Sequence, residues 1–181
     1  MNKRIFGKFA GNLAALVLAT AIAGLYSCSA AHSDTWSLTA EDREEITQLI
    51  YSYSYTFDSK NLDAFLNLYT PDAVWADYYA GSSTPTDVVD TPQKMRTAFG
   101  NQMQQLAAAG TQSRHFLTNL SISGTSPGVA QGTAMFLVAH QQYDQAQATA
   151  TVEHTGMYSY QFAKTTNGWK FRRLEAHIDH K

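Results

Sequence analysis

The chain has 181 residues, of which 44% are hydrophobic and 12% are aromatic. This length suits a single globular domain with a sizeable core, because domains usually run about 100 to 200 residues. The 13 basic and 15 acidic residues form no basic stripe along the chain, so nucleic acid is excluded as an expected partner.

The N-terminus has the pattern of a secretory signal. Lys3, Arg4 and Lys8 form a basic head, and the run that follows, GNLAALVLATAIAGLYSCSA, carries no charge and ends in small residues. Its tetrapeptide LYSC resembles the lipobox of bacterial lipoproteins, which implies that cleavage leaves Cys28 as a lipidated N-terminus. Acyl chains would then anchor the protein to a membrane by burying methylene groups at about 0.8 kcal/mol each. The alternative is an uncleaved membrane helix over residues 9–31, since about 20 residues suffice to span a bilayer.

We therefore expect a signal peptide over residues 1–27, a polar linker over 28–37 and one domain over 38–181. Removal of the three basic residues of the signal leaves ten basic and fifteen acidic residues, a net charge of −5 with histidine neutral. Cys28 is the only cysteine, so lipidation leaves the domain without a thiol and its stability must come from packing. Ser29 stands where inner-membrane lipoproteins carry aspartate, and the resemblance thus implies the periplasmic face of the outer membrane, in a Gram-negative source.

The first half of the domain has helical patterns. Thr39 and Asp42 form a capping box, which predicts a helix from residue 40 to about 57 with Tyr53 and Phe57 on its apolar face. A shorter helix over residues 62–69 is expected to stop near Pro71, and AVWADYY at 73–79 is typical of a strand. A third helix follows Thr91 and a proline at its first position, and ends at residue 110.

The second half has strand patterns. Runs at residues 114–123, 129–143, 149–164 and 168–179 are separated by turns of hairpin length. Helices followed by a meander indicate an α+β fold, which we predict to be a cone-shaped α+β barrel: three helices packed on a curved, mostly antiparallel sheet that encloses a pocket. In the last strand Leu174, Ala176 and Ile178 alternate with polar residues and should face inward, while His154 and Tyr158 share one face of the strand before it.

Asp58 and His115 are the candidates for chemistry. Asp58 follows the apolar helical face in YTFDSKNLDAF, and His115 lies in SRHFLTNL. A carboxylate beside an imidazole fixes the tautomer of the ring and makes it a better proton acceptor near neutral pH. From the residues alone, Asp58 is equally a cap or turn residue. His115 and His154 are, from the residues alone, more simply read as hydrogen-bonded structural histidines.

The motifs FDSKNLDAF, SRHFLTNL and NGWKF, together with this layout, resemble the nuclear transport factor 2-like superfamily, in its SnoaL-like branch with scytalone dehydratase and lindane dehydrochlorinase. The resemblance covers roughly residues 38–179. It implies that Asp58 and His115 form the catalytic dyad, that His140 is a second catalytic histidine, and that Tyr78 orients a water. Four positions depart from the dehydratase or the dehydrochlorinase: the polar residues of those enzymes fall on Gly156, Tyr158 and Leu174 here, and the tyrosine before the aspartate is Phe57.

The resemblance implies an enzyme that needs no cofactor, a dehydratase or isomerase acting on a small, mainly apolar carbonyl compound. The expected pocket residues are Phe57, Tyr53, His154, Tyr158, Leu174, Ala176 and Ile178. A non-catalytic domain that binds a small apolar ligand is the alternative, and a site for non-haem iron formed by Asp58, His115 and His140 is a third reading, although the resemblance implies no metal. Pairing into a homo-oligomer through the sheet stays open.

The lipid anchor has a direct test. Cys28→Ser removes the thiol that would be acylated, so we expect the full-length chain to move from the membrane fraction to the soluble fraction. Fractionation with Ser29→Ala as the matched control measures this, and unchanged membrane retention of Cys28→Ser would refute lipidation.

Overall fold

The structure is a computed structural model, which describes residues 36–143 and 149–180. The predicted signal peptide and Cys28 lie outside the described residues. Within the two described ranges, the helices are all too short or too polar to span a lipid bilayer.

Three helices precede the long strands. Helix α1 spans Ala40–Asp58, α2 spans Leu62–Leu66 and α3 spans Pro92–Ala108. The predicted capping box is present at the start of α1, where the Thr39 side chain accepts from the backbone amide of Asp42 and the Asp42 side chain accepts in return. Thr91 caps α3, with proline at its first turn. Asp58 is the last residue of α1, which fixes the direction of its side chain.

The strands form one six-stranded sheet. Their bounds are Tyr69–Tyr79 for β1, Asp87–Val89 for β2, Thr111–Ser126 for β3, Val129–Gln142 for β4, Ala150–Thr165 for β5 and Gly168–Ile178 for β6. The order is β2-β1-β6-β5-β4-β3. All neighbours are antiparallel except β1 and β6, which pair in parallel. The predicted α+β fold, with three helices on a curved and mostly antiparallel sheet, is confirmed.

Two local predictions were wrong. The second helix ends at Leu66 instead of reaching Tyr69, because Tyr69 pairs with Phe171 of β6 and its buried ring packs between Phe65 and Phe171. Pairing in the sheet therefore determines the conformation of Tyr69, although its spacing from Phe65 and Leu66 fits a helix. Val89 lies in a segment that we expected to be loop, but it pairs with Trp75 and is buried, which makes β2 a short edge strand.

The core between helices and sheet is strongly aromatic. Tyr53 of α1 packs against Phe65, Trp75 and Phe171, with ring centroids 5.3 to 6.3 Å apart. Phe65 also contacts Phe99 of α3 at 4.8 Å. Such contacts favour tilted and edge-on rings and add to the free energy gained by burying their surface. The core therefore fixes the C-terminal half of α1 against the sheet.

The N-terminal end of α1 is fixed by polar contacts. One oxygen of the Asp42 carboxylate accepts from Lys164 Nζ at 2.7 Å and from Trp169 Nε1 at 2.9 Å. These residues flank the turn between β5 and β6. The hydrogen bond from Lys164, with those from Trp169 and Thr39, holds the pKa of Asp42 well below its usual range. Because the depressed pKa favours the folded state only while the carboxylate is ionised, its contribution to stability is lost as the pH falls through that pKa.

Phe65 provides a test of the aromatic core. It is fully buried, so Phe65→Ala should lower the free energy of unfolding by about 3 to 5 kcal/mol. Tyr55 on α1 is 76% exposed, and Tyr55→Ala, the control, should stay within about 0.5 kcal/mol of the parent. Urea denaturation of the domain measures both. Equal effects of the two substitutions would contradict the core described above.

Candidate active site

A cavity of about 170 Å³ lies inside the cone, at the end where β1, β4 and β6 finish and β3 and β5 begin. Helices α1 and α3 close it on the side opposite the sheet. Its lining combines aromatic and aliphatic side chains with several polar groups, which in a concave site can orient a small molecule. The lining residues are Tyr53, Phe57, Trp75, Asp77, Tyr79, Phe99, Gln102, His115, Phe136, Val138, His140, Glu153, His154, Tyr158, Ala176 and Ile178.

The predicted contact between Asp58 and His115 is present. Asp58 Oδ1 lies 2.7 Å from His115 Nδ1 and accepts from Ser113 Oγ at 3.0 Å, while Oδ2 accepts from the backbone amide of His115 at 2.9 Å. The geometry arises because β3 is an edge strand whose amides on one side have no strand partner, so the last residue of α1 meets them. Asp58 is 8% exposed. It is a buried junction between helix and sheet.

The hydrogen bonds determine the tautomer of His115. An ionised carboxylate only accepts, so Nδ1 must carry the proton that it donates to Asp58. Nε2 then holds the lone pair, and among the described residues it has no hydrogen-bond partner. The ring packs edge-on against Phe57 and Tyr53 at 5.1 and 5.6 Å, and both aromatic rings line the cavity. This arrangement makes Nε2 available as a proton acceptor.

His140, Glu153 and His154 lie together along one side of the cavity. His140 Nδ1 is 3.6 Å from Glu153 Oε2. A register shift places Val138 opposite His154 but Ala139 opposite Val152, so Glu153 is the extra residue of a β-bulge. The bulge brings both Glu153 and His154 to the cavity and leaves Val152 exposed. Burial lowers the pKa of His154, with Glu153 opposing the effect, so the ring is favoured in its neutral form.

Asp77 lines the same cavity as His115. The two residues belong to β1 and β3, which stand near opposite edges of the six-stranded sheet, and the curl of the sheet brings both to one cavity. Asp77 Oδ1 accepts from Trp75 Nε1 at 2.8 Å. Burial raises the pKa of the Asp77 carboxyl, and the charge of Asp87 adds to this while the Trp75 bond opposes it.

His115 also borders a second, open hollow. This outer groove, of about 650 Å³, lies between α1 and β3 and includes Tyr51, Tyr55, Arg114 and Phe116 in its walls. Tyr55 and Phe116 are exposed. The His115–Asp58 pair thus forms a partition between the interior cavity and the surface, and the interior side offers the lower dielectric in which electrostatic effects are strongest.

Most of the predicted pocket residues lie where the sequence placed them. Tyr53, Phe57, Tyr158, Ala176 and Ile178 line the cavity. His140 and His154 line it as well. Burial raises the pKa values of Tyr53 and Tyr158 above the ordinary phenol value, so their hydroxyls stay protonated. The catalytic roles assigned by resemblance stay predictions.

Two of the predicted site residues are misplaced. Tyr78 lies on the outer face of the sheet, where its ring stacks on His177 at 4.7 Å and its hydroxyl is 3.5 Å from Glu175 Oε1. The alternation of β1 places Trp75, Asp77 and Tyr79 inward instead. Leu174 faces inward as expected, but it is fully buried in the core and is not among the cavity residues.

The structure gives a reason for one departure from the dehydratase pattern. Gly156 pairs with Ile178 of β6, and a Cβ at this position would collide with the backbone carbonyl of His177 and press on Phe136. Any side chain here, including serine, would force the strands apart. The polar group of the dehydratase is therefore excluded by backbone packing.

Asp77 and Glu153 also line the cavity, although neither was predicted from the sequence. The sequence does allow Asp77 to be found, because it follows Trp75 by two residues in AVWADYY. Residues two apart in a strand face the same side of the sheet, so an inward Trp75 places Asp77 inward as well. Glu153 has no such signal in the sequence, because its position depends on the bulge. In the described part of the chain, no group of three or more histidine, cysteine or acidic residues is placed to hold a metal ion. The predicted set of Asp58, His115 and His140 does not converge, since both oxygens of Asp58 are bonded to β3.

Comparison with known proteins identifies the family. The family model described as SnoaL-like domain matches residues 38–175. The chain belongs to this SnoaL-like family. Its fold is that of the nuclear transport factor 2-like proteins, and the family includes both enzymes and ligand-binding proteins. A comparison with curated proteins finds no significant match.

Three solved structures illustrate the likeness of fold. An NTF2-like protein with a cystatin-like fold from Novosphingobium aromaticivorans is 23% identical, with a TM-score of 0.62 over 76% of this chain and 82% of its own. ActVI-ORFA from Streptomyces coelicolor is 15% identical, with a TM-score of 0.63 and coverages of 77% and 98%. The beta subunit of benzoate 1,2-dioxygenase from Burkholderia mallei is 17% identical, with a TM-score of 0.61 and coverages of 74% and 87%. At these identities the likeness extends to the fold alone.

The tautomer of His115 can be measured directly. Three donors converge on the two oxygens of Asp58, and Asp58→Asn leaves one acceptor oxygen, so the Nδ1-protonated form should lose its preference. Nitrogen NMR of labelled histidine should show Nδ1 protonated in the parent and a mixture of tautomers in Asp58→Asn. Asp63→Asn, in an exposed ion pair with Arg96, is the control and should match the parent. A parent ring protonated on Nε2 would contradict the assignment.

Proposed function

We propose that this SnoaL-like domain is a cofactor-free enzyme of the isomerase or dehydratase type, in which His115 removes a proton from a carbon next to a carbonyl group. The 2.7 Å contact between Asp58 and His115, at the wall of a cavity lined by aromatic and polar side chains, carries the proposal. Asp58 orients the ring and stabilises the imidazolium that forms when Nε2 accepts the proton. A positioned base of this kind contributes about 10²- to 10⁴-fold to a rate.

The cavity limits the substrate to a small molecule. Its volume of about 170 Å³ is near the roughly 150 Å³ of an apolar protein cavity that takes one benzene molecule. Phe136 and Tyr158, stacked with centroids 4.1 Å apart, supply a flat apolar wall. We therefore propose a substrate with a single ring, or an open chain of similar size, that carries a carbonyl group.

His140 is the candidate to protonate a leaving oxygen in a dehydration. It lines the same cavity, and its Nδ1 lies 3.6 Å from Glu153 Oε2. In an isomerisation no group leaves, and the proton taken by His115 returns to a different carbon. The two reactions share the first step, so His115 and Asp58 are required for both.

A non-catalytic domain that binds small apolar ligands is the second candidate. The small volume of the cavity and its aromatic lining favour this reading. On this reading Asp58 serves to join α1 to β3, and loss of its charge would change stability more than ligand affinity.

We also propose that the protein is exported and held at a membrane through Cys28. The basic head, the uncharged run and the LYSC tetrapeptide support this proposal. A location at the periplasmic face of an outer membrane is consistent with an enzyme or binding protein that meets small molecules outside the cytoplasm.

Deuterium exchange tests the enzyme without knowledge of the physiological substrate. A panel of small cyclic ketones in D₂O is followed by proton NMR, and the parent should accelerate exchange at the carbon beside the carbonyl for at least one of them. His115→Gln should lower that acceleration by about 10²- to 10⁴-fold, because the amide cannot accept the proton.

Asp179→Asn is the matched control. Asp179 accepts from Thr155 at 2.8 Å on the outer face of the sheet, so this variant should exchange ketones like the parent. Binding of a ketone with no acceleration of its exchange would favour the second candidate. Exchange that is unaffected by His115→Gln would refute the proposed base.

A further inference from the structure

The outer groove between α1 and β3 is a second concave site, which the mechanism above does not use. Its volume of about 650 Å³ lies within the range of about 300 to 1,000 Å³ that is usual for small-molecule sites. The interior cavity has only about 170 Å³. An occupant of the groove can therefore be larger than the single ring that suits the interior.

Three exposed aromatic side chains line the outer groove. Tyr51 and Tyr55 stand one turn apart on α1, where residues at i and i+4 share a face of the helix, and Phe116 comes from β3. Phe116 is 56% exposed and Tyr51 is 42% exposed. Exposed apolar side chains that are grouped in one place mark interaction sites, whereas single ones need no explanation. Their rings offer flat surfaces on which an aromatic ligand can pack.

Arg114 adds a positive charge to the same groove. Its Nη1 donates to the backbone carbonyl of Ser113 at 3.0 Å, which holds the guanidinium beside β3. A guanidinium has five N–H donors in a planar fork that matches a carboxylate. Arg96, Arg172 and Arg173 each lie in an ion pair, but Arg114 has no carboxylate within ion-pair distance among the described residues. Its charge is therefore available to an anion.

The spacing along β3 relates this charge to an aromatic surface. Arg114 and Phe116 are two residues apart in the strand, so their side chains leave the same face of the sheet about 7 Å from each other. The neighbouring Gln112 is fixed, because its Nε2 donates to the backbone carbonyls of Asp58 and Ser113 at 2.8 Å each. The strand that carries Arg114 and Phe116 is thus held against the end of α1.

We propose that the outer groove binds a planar aromatic carboxylate of two or three fused rings, with the carboxylate on Arg114 and the rings against Tyr55 and Phe116. The inference goes beyond the proposed function and does not depend on catalysis in the interior cavity. Asp58 and His115 line the groove as well, so the bound acid would lie against the outer side of that pair.

The charge preference of the groove is tested with two probes of the same shape. Binding of 2-naphthoate and of the uncharged 2-naphthamide to the full chain is measured by calorimetry. The parent should bind the acid about three- to tenfold more tightly than the amide, as expected for a partly exposed pair of arginine and carboxylate. Arg114→Gln should abolish this preference. Arg172→Gln removes a charge from an exposed pair with Asp72 on β6, and this control should keep the preference.

Tyr55→Ala tests the aromatic wall. Since this substitution is expected to leave the stability of the fold unchanged, weaker binding would report the lost contact directly. Both probes should bind about three- to tenfold more weakly, because the acid and the amide share the ring system that packs on Tyr55.

Nitrogen NMR of labelled histidine locates the probe. His115 lines the outer groove, whereas His140 and His154 line the interior cavity. Addition of 2-naphthoate should shift the His115 signals and leave those of His140 and His154 in place. Shifts of His140 and His154 would place the acid in the interior and overturn the inference.

Three further results would overturn it. They are the absence of 2-naphthoate binding at millimolar concentration, equal binding of acid and amide by the parent, and affinities that are unaffected by Arg114→Gln and Tyr55→Ala. Analytical ultracentrifugation tests a second copy of the chain as the occupant. A dimer that these two substitutions weaken, and that takes up no 2-naphthoate, would assign the groove to the second copy and exclude the aromatic acid.

Discussion

The site depends on the carboxylate of Asp58, both of whose oxygens accept hydrogen bonds. Three donors from β3, two of them from His115 itself, meet the two oxygens of Asp58. Removing a partner from such a buried group leaves the others unpaired, at a cost of about 1 to 3 kcal/mol for each uncharged group. The same bonds that fix the imidazole therefore also fasten the end of α1 to the edge of the sheet. Stability and proton transfer use one set of contacts, and a change that frees the ring also loosens the fold.

The hydrogen-bond donors to Asp58 come from the sheet, at its edge strand β3. An edge strand exposes unpaired amides that usually have to be protected from association with another chain. Here the end of α1 covers the edge, where the backbone amide of His115 and the side-chain hydroxyl of Ser113 donate hydrogen bonds to the Asp58 carboxylate. Curvature then brings the other edge of the sheet around, so that Asp77 of β1 lines the same cavity as the histidine.

Local patterns in the sequence predict much of this architecture. The capping box at Thr39 and Asp42 and the alternation of Leu174, Ala176 and Ile178 each depend on neighbours a few residues away, and both are present. Tyr69 was assigned to the wrong element because its partner, Phe171, is about a hundred residues distant. The contact of Asp58 with His115 came from a resemblance of motifs, since no periodicity links a helix end to a strand 57 residues later. Tyr78 was an avoidable error, because strand parity within β1 points it outward. The bulge at Glu153 has no local signature, so the residues that it brings to the cavity follow only from coordinates.

The length of α1 has a consequence for access. Its 19 residues extend for about 28 Å at 1.5 Å per residue, and they separate Asp42, next to the turn between β5 and β6, from Asp58 at the cavity. The described residues begin at residue 36, close to the Asp42 end, while the cavity lies at the far end, among the strand termini. The segment that leads into α1 therefore enters the domain away from the cavity and leaves the approach to His115 free of its own chain.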